Sequence, residues 1–315
     1  MTVIRLGGIY IPFCIIRSDY VQTHSQKIKF YSDAWAILSA LELSIKKKIE
    51  AVGIPLKDWN VDIFRGVLTG YNEAFIISSK KRDEILANCK DETEKQRTAE
   101  IIRPILRGRD IKRYGYTWSG LWLINTHNGT KDGFERIHIE DYPSVKKHLD
   151  NYWLSINRRA DKGDTPYNLR NCAYLDLLSQ PKIVWGEISD KTKFCIDKEG
   201  KYIPEATTFM LSGNKLILLL AFLNCSVSEY MFSTIGTTTG VGTVRWKKFK
   251  IEQLYVPCHI DNETAKSIED QCERIISLTE QQGSAHEEER VLNNLIYRFY
   301  ALSETEIQYI ESHIR

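Results

Sequence analysis

The chain has 315 residues, enough to bury a full core and to form one large or two ordinary domains, and its 43% hydrophobic and 27% charged residues read as soluble and globular. The net charge of +2 excludes a uniformly cationic surface. From residue 261 on, twelve acids face five bases, which leaves 38 cations and 29 anions in residues 1–260, so a basic partner surface belongs there.

The N-terminal run MTVIRLGGIYIPFCIIR is apolar, but it lacks an A-x-A cleavage site and Arg17 ends it too early to span a membrane, so it reads as a buried strand or a leftover of something upstream. Ser32 is the predicted N-cap of a long amphipathic helix that carries Leu38, Leu41, Ile45 and Ile49 on one face and stops at Gly53. Residues 61–68 and 74–77 are predicted strands joined by a Gly/Asn turn. SSKKRDEILANC and ETEKQRTAEII are predicted short helices, the second ended by Pro104 through the restriction on the residue before it. GLWLIN reads as a strand, and DYPSVKKHLDNYWLSINRRA as one helix that turns Val145, Leu149, Trp153 and Ile156 inward. PKIVWGEIS, TKFCID and ATTFMLS read as a meander of short strands. NKLILLLAFLNCSVSEYMFSTIG is apolar on nearly all sides but contains Asn224 and Glu229, which predicts a buried helix pair rather than a membrane span. After Pro257 the chain is predicted helical to its end, with Ser303 and Glu306 as a capping box. The order is mixed, without a βαβ alternation, so the expected fold class is α+β, with small mixed sheets, packed helices and a helical C-terminal segment.

No catalytic motif emerges from this pass. The eight prolines stand apart, so there is no Asn/Asp-Pro-Pro-aromatic box of the kind that holds the target base in amino-methyltransferases. GTTTGVG follows a helix and precedes a strand, the wrong order for a dinucleotide loop, and RGVLTGYNE lacks a P-loop lysine. DKEGK, with Glu199, Gly200 and Lys201, reads as a turn rather than the end of a nuclease carboxylate cluster. The seven cysteines are scattered singly, without C-x-x-C or paired histidine spacing, which fits a reduced cytoplasm and excludes a zinc ribbon. The expected catalytic and metal-binding residues within the chain are therefore none.

Basic and aromatic clusters remain. RPILRGRDIKRYGYTW places Arg107, Arg109, Lys112 and Arg113 among Tyr114, Tyr116 and Trp118, with Asp110 opposing. NRRADKGDTPYNLRN adds Arg158 and Arg159, and TTTGVGTVRWKKF sets Thr237, Thr238 and Thr239 ahead of Arg245, Lys247 and Lys248. Each also fits a solvated face or an internal salt bridge such as Arg109 with Asp110, but three such clusters before residue 261 favour phosphate contact.

The blocks PLKDWNVDIFRGVLTGYNEAFII, EIIRPILRGRDIKRYGY with GLWLIN, DYPSVKKHLDNYW with RADKGDTPYNLRNCAY, PKIVWGEISDKTKF and LNCSVSEYMFSTIGTTTGVGTVRWKKFKIEQLYVP, in that order, resemble the TaqI-like C-terminal specificity domain over about residues 30–315. In that family the domain follows the catalytic domain of adenine-specific DNA methyltransferases and of type IIG restriction-modification enzymes. The catalytic domain binds S-adenosylmethionine and flips the adenine; the specificity domain reads neighbouring bases and clamps the duplex. The resemblance implies the second role alone: double-stranded DNA as partner, a catalytic methyltransferase domain in cis or in trans that holds the S-adenosylmethionine, no cofactor in this chain, no membrane, and a cytoplasmic location. It also implies an N-terminal remnant or linker over 1–30, a recognition domain over 31–260 and a helical appendage over 261–315, in a fragment or the product of a truncated or split gene. On chemistry alone, the Thr237–Thr239 loop and a second loop with Thr69 and Asn72 are the expected base readers, and the cations hold phosphates. A single-unit type I-like specificity subunit and a protein-interaction remnant of a phage-defence system are the alternative readings.

Overall fold

In a computed structural model of the chain, residues 38–131, 133–235 and 245–314 are described with their side chains, and 3–6, 9–12, 237–238 and 244 by backbone alone. The chain divides into a compact unit over 1–47 and another over 48–315. In the first, β1 (Val3–Leu6) and β2 (Ile9–Pro12) pair antiparallel, so within the apolar N-terminal run these residues form two strands instead of one. The predicted cap Ser32 lies outside the described residues. Helix α1 (Ala40–Val52) is capped by Ser39: its hydroxyl accepts from the Glu42 amide at 3.2 Å, and the Glu42 carboxylate accepts from the Ser39 amide at 2.6 Å.

The second unit continues through β3 (Gly53–Pro55), β4 (Val61–Arg65), the helical turn α2 (Asn72–Phe75), β5 (Ile76–Ser78), α3 (Ser79–Ala87), α4 (Glu92–Ile101), β6 (Ile102–Leu106) and β7 (Leu121–Ile124). Helices α3 and α4 start at side-chain caps, Ser78 accepting from the Lys81 amide and Asp91 from the Glu94 amide. Pro104, predicted to end a helix, sits instead inside β6 opposite Trp122 of β7. Its fixed φ suits an extended chain. The short strand on the other edge of β6, β11 below, pairs only with Ile105 and Leu106, past the residue that lacks an N–H. The predicted long helix after Tyr142 is two, α5 (Pro143–Asp150) and α6 (Trp153–Arg158), and the break between them leaves Trp153 40% exposed while Val145, Leu149 and Ile156 are buried.

Then come β8 (Lys182–Gly186), β9 (Ile188–Ser189), β10 (Phe194–Asp197), β11 (Ile203–Pro204), β12 (Thr208–Gly213), α7 (Leu216–Asn224), α8 (Ser226–Ile235), β13 (Thr237–Thr238), β14 (Val244–Arg245), α9 (Lys248–Ile251), β15 (Tyr255–Pro257), α10 (Asn262–Glu280), α11 (His286–Phe299) and α12 (Glu304–His313). The fold is α+β. One antiparallel sheet has the order β10-β8-β12-β4, so β8 lies between strands that follow it in sequence and the expected meander is not formed. A second has the order β11-β6-β7-β5, with β11 parallel to β6. Strands β4 and β5, expected as partners, therefore belong to different sheets. The chain leaving β4 runs against the β11–β12 connection: Gly66 donates to Thr208 O at 2.9 Å, and Val67 to Pro204 O at 2.7 Å. A Cβ on Gly66 would fall 2.1 Å from Glu205 O, so only glycine permits this crossing.

Strands β5, β7 and β6 bury Ile77, Leu123, Ile124 and Ile102 in one core with Phe75, Val145, Leu149 and Ile156. Helices α7 and α8 bend by 65° at Cys225, and among the described residues no single helix is long and apolar enough to cross a membrane. Side chains Leu218 to Asn224 are buried, with α10 packed on α7 and on α11, and α12 on α8, so residues 261–315 lie in the same compact unit as residues 48–260. Ser303 and Glu306 form the predicted capping box. In α11, Leu292 and Ile296 face inward while Val291 is exposed.

His148 is buried on α5, with Nε2 2.9 Å from Ala74 O, and burial holds its pKa below the ordinary histidine value. Because the folded pKa is depressed, the unfolded chain binds the extra proton. His148 therefore contributes its full stability above the unfolded pKa of about 6.5, and that stability is lost as pH falls toward the folded pKa. Denaturant midpoints are expected to fall from about pH 7 to 5, by at most ~1.4 kcal/mol per pH unit from this group, and His148→Gln should flatten that part of the profile. An identical pH profile for the variant would assign the titration elsewhere.

Candidate nucleic-acid interface

Beyond β6 the chain makes a tight turn over residues 107–110. Asp110 accepts from the Arg107 amide at 2.9 Å and from its guanidinium through both oxygens at 3.1 Å. The turn brings Gly108 against Gly186, at the end of β8, so closely that a Cβ on Gly186 would lie 3.2 Å from Gly108 Cα. The β11–β12 connection closes this corner: Thr207 Oγ1 accepts from the Gly108 amide at 3.0 Å and donates to Glu205 at 2.6 Å, while Thr207 O accepts from the Glu187 amide at 2.9 Å. Three backbones thus meet around an open cleft of about 700 Å³ lined by Asn72, Arg109, Glu187, Ile188, Ser189, Asp190, Lys193 and Thr207, among others.

Its electrostatics are mixed. Glu187 lies between two arginines, 3.2 Å from Arg65 and 3.7 Å from Arg245, whose side chains are 60% and 45% exposed. Asp190 pairs with Lys193 at 2.5 Å, a hydrogen bond that holds its carboxyl below the usual carboxylate range against the opposing effect of burial. Arg109 is exposed and makes no ion pair among the described residues. The lining thus offers both hydrogen-bond donors and acceptors, the two kinds of group that base edges present in a groove.

The structure sorts the sequence-predicted residues into different environments. Arg109 and Asn72 line the cleft, as does Arg107, and it is Arg107 rather than Arg109 that pairs with Asp110. Lys112 and Arg158 are exposed outside it. Arg113 turns inward, pairing with Glu289 and with Glu229 at 3.4 Å and donating to Thr192. It follows that Arg113 ties α8 and α11 to the sheets and is not open to a phosphate. The cause is local: Tyr114 adopts φ +62° with its amide bonded to Phe194 O at 2.9 Å, which reverses the chain beside it. Arg159 is likewise interior, donating to the carbonyls of Thr69, Asn168 and, at 3.1 Å, Pro166, with its guanidinium 4.3 Å from the Phe75 ring. Burial pulls Arg159 down to about 10, with Asp161 acting the other way. Thr69 is buried too; its hydroxyl accepts from the Tyr71 amide at 3.2 Å and donates to Asn72 Oδ1 at 2.5 Å, so it orients Asn72 rather than reaching the cleft itself.

Thr237 and Thr238 form β13, which pairs with β14, and β14 pairs in turn with β9, setting Arg245 opposite Ile188. The side chains of these two threonines, and all of Thr239, lie outside the described residues. In the strip that follows, Trp246 is buried and stacked on Phe232 at 3.8 Å, so the aromatic is a core anchor between outward cations. Lys247 is half-buried, and Lys248 donates to Ile63 O at 2.8 Å and lies 3.6 Å from Glu252.

Residues 103–256 match the family model of the TaqI-like C-terminal specificity domain, a segment that supplies every residue of the cleft except Asn72. This segment is a TaqI-like specificity domain. It is shorter than the 30–315 span of the resemblance read from sequence. The chain is similar in fold to the type IIL restriction-modification enzyme MmeI, solved in complex with DNA, with a TM-score of 0.62 and 10% identity over 82% of this chain and 36% of that one. Against the type IIG restriction endonuclease BpuSI the TM-score is 0.47, with 13% identity over 82% of this chain and 32% of that one. The chain therefore spans roughly a third of the length of either enzyme. No curated protein sequence matches it.

Several cleft residues of the TaqI-like domain escape a reading of the sequence for cations and loops. Glu187, Ser189 and Thr207 carry no charge signal for an anionic partner, and Ile188 looks like any strand residue. Beside the cleft and outside the matched segment, Arg65, the last residue of β4, carries one weak signal, an arginine next to the glycine of FRGVLTG.

Proposed function

We propose that the chain is the DNA-reading part of an adenine-specific methyltransferase or type IIG restriction-modification enzyme, binding duplex DNA across this cleft. The observation that carries the reading is that the matched specificity segment builds a cleft with donors and acceptors on its floor and exposed cations outside it. Base edges face Arg109, Asn72 and their neighbours; phosphates lie on Arg65, Lys112, Arg245 and Lys247. S-adenosylmethionine and the chemistry belong to a catalytic domain in cis or in trans.

Selection of the full chain against a duplex library with a randomised centre tests this. One short motif should be enriched, and Arg109→Ala or Asn72→Ala should degrade it at one or two positions without abolishing binding. Salt-sensitive retention with no enriched motif would reduce the chain to a clamp, and no retention at low salt would favour the protein-interaction remnant.

A further inference from the structure

Among the described residues, Ile188 is the only exposed large apolar side chain that lines the cleft, at 53% exposure. It stands there among polar groups: Arg109, Asn72, Ser189 and Lys193. Its backbone is held from both sides, because the Glu187 amide donates to Thr207 O at 2.9 Å, the Trp246 amide donates to Glu187 O at 2.8 Å, and β9 pairs with β14 so that Ile188 faces Arg245. Trp246 is itself locked by its stack on Phe232 and by the Trp185 indole, which donates to Trp246 O at 2.9 Å. A β-branched side chain on so fixed a strand has little rotamer freedom. The aliphatic group is thus presented to the cleft at a set position, and a single water-exposed isoleucine there gains nothing from burial in the free protein.

Of the base edges in a major groove, only thymine carries an apolar group, its C5 methyl. We infer that Ile188 is a specificity-determining residue that packs against the C5 methyl of one thymine in the recognition sequence. The inference rests on the reading that the cleft faces base edges, and it adds the identity of one base. Neighbouring donors such as Arg109 and Lys193 suit the thymine O4 acceptor or the guanine edge of the next pair.

The test exploits uracil, which lacks the methyl and keeps every hydrogen-bonding group. The full chain is selected against one randomised duplex library made with dTTP and the same library made with dUTP. The dTTP motif should contain a thymine whose preference weakens with dUTP, and a motif duplex with a single uracil there should bind about 4-fold more weakly, the transfer value of one methyl. Ile188→Ala should bind the thymine and uracil duplexes equally, while Ile188→Val, which keeps the branched aliphatic contact and the strand, should still discriminate. Identical motifs from both libraries, or discrimination that persists in Ile188→Ala, overturn the inference and leave the DNA reading standing. Enrichment from neither library removes both.

Discussion

Replacing Asp197 by alanine is expected to destabilise the protein by about 3–5 kcal/mol, measured as a shift in denaturant midpoint at neutral pH. Asp197 lies 2.8 Å from Lys182 Nζ, and the two side chains are 2% and 0% exposed. The carboxylate also accepts from the Lys201 and Tyr202 amides at 3.1 and 2.8 Å, so it organises the DKEGK turn, where Gly200 takes φ +64° against the Ser179 backbone. Its removal leaves an ammonium facing only the carbonyls of Leu178 and Gln180, at 3.0 and 3.2 Å, and two amides without their acceptor. Burial already pulls Lys182 below the ordinary lysine value, with Asp197 pulling back. In the variant burial remains, with the Arg103 charge acting in the same direction. The unfolded chain then binds more protons than the folded one, so part of the lost stability should return as pH rises. The double replacement of Lys182 by Met and Asp197 by Leu should cost far less than Asp197→Ala, because both charges leave together. Equal losses for the two variants would mean that the pair is solvated.

Removing Arg65, Arg245 and Lys247 together is expected to weaken duplex binding on the order of 10²-fold at about 0.15 M salt, and to lower the slope of log K against log salt by about three. Each cation that neutralises a phosphate releases a counterion whatever the base, at ~0.9 slope unit per contact. Glu187 holds both arginines near 3.2 and 3.7 Å in the free protein, so a phosphate exchanges one anion for another around side chains already in place. Lys248→Ala should change the slope much less, since its ammonium donates to Ile63 O and lies near Glu252. Alanine at Thr237, Thr238 and Thr239 should alter the preferred sequence at constant slope. Titrations of fluorescent duplexes across salt concentrations separate these outcomes. An unchanged slope in the triple variant would make the rim a solvated face with no role in binding.

What the sequence determines by itself here is what short-range bonding and composition control. The starts of α3, α4 and α12 are legible because Ser78, Asp91 and Ser303 bond amides three residues ahead, inside the window a reader scans. The same holds for the apolar α7–α8 pair, for β7, and for the family likeness, which lies in the order of blocks along the chain. Strand partners and side-chain direction belong to the tertiary structure. β8 takes its place between β10 and β12, and Pro104 fits inside β6, because pairing is decided by what arrives from far along the chain. Charge alone makes Arg109, Arg113, Arg158 and Arg159 look alike. Yet the backbone at Tyr114 and the packing of the 159–168 loop on Thr69 turn Arg113 and Arg159 inward. The cleft gathers residues from Asn72 to Thr207, with Arg65 and Arg245 beside it, because Gly66, Gly108 and Gly186 let backbones approach to distances at which a Cβ would clash or crowd. That contact depends on three distant glycines at once, and no local stretch of sequence contains it.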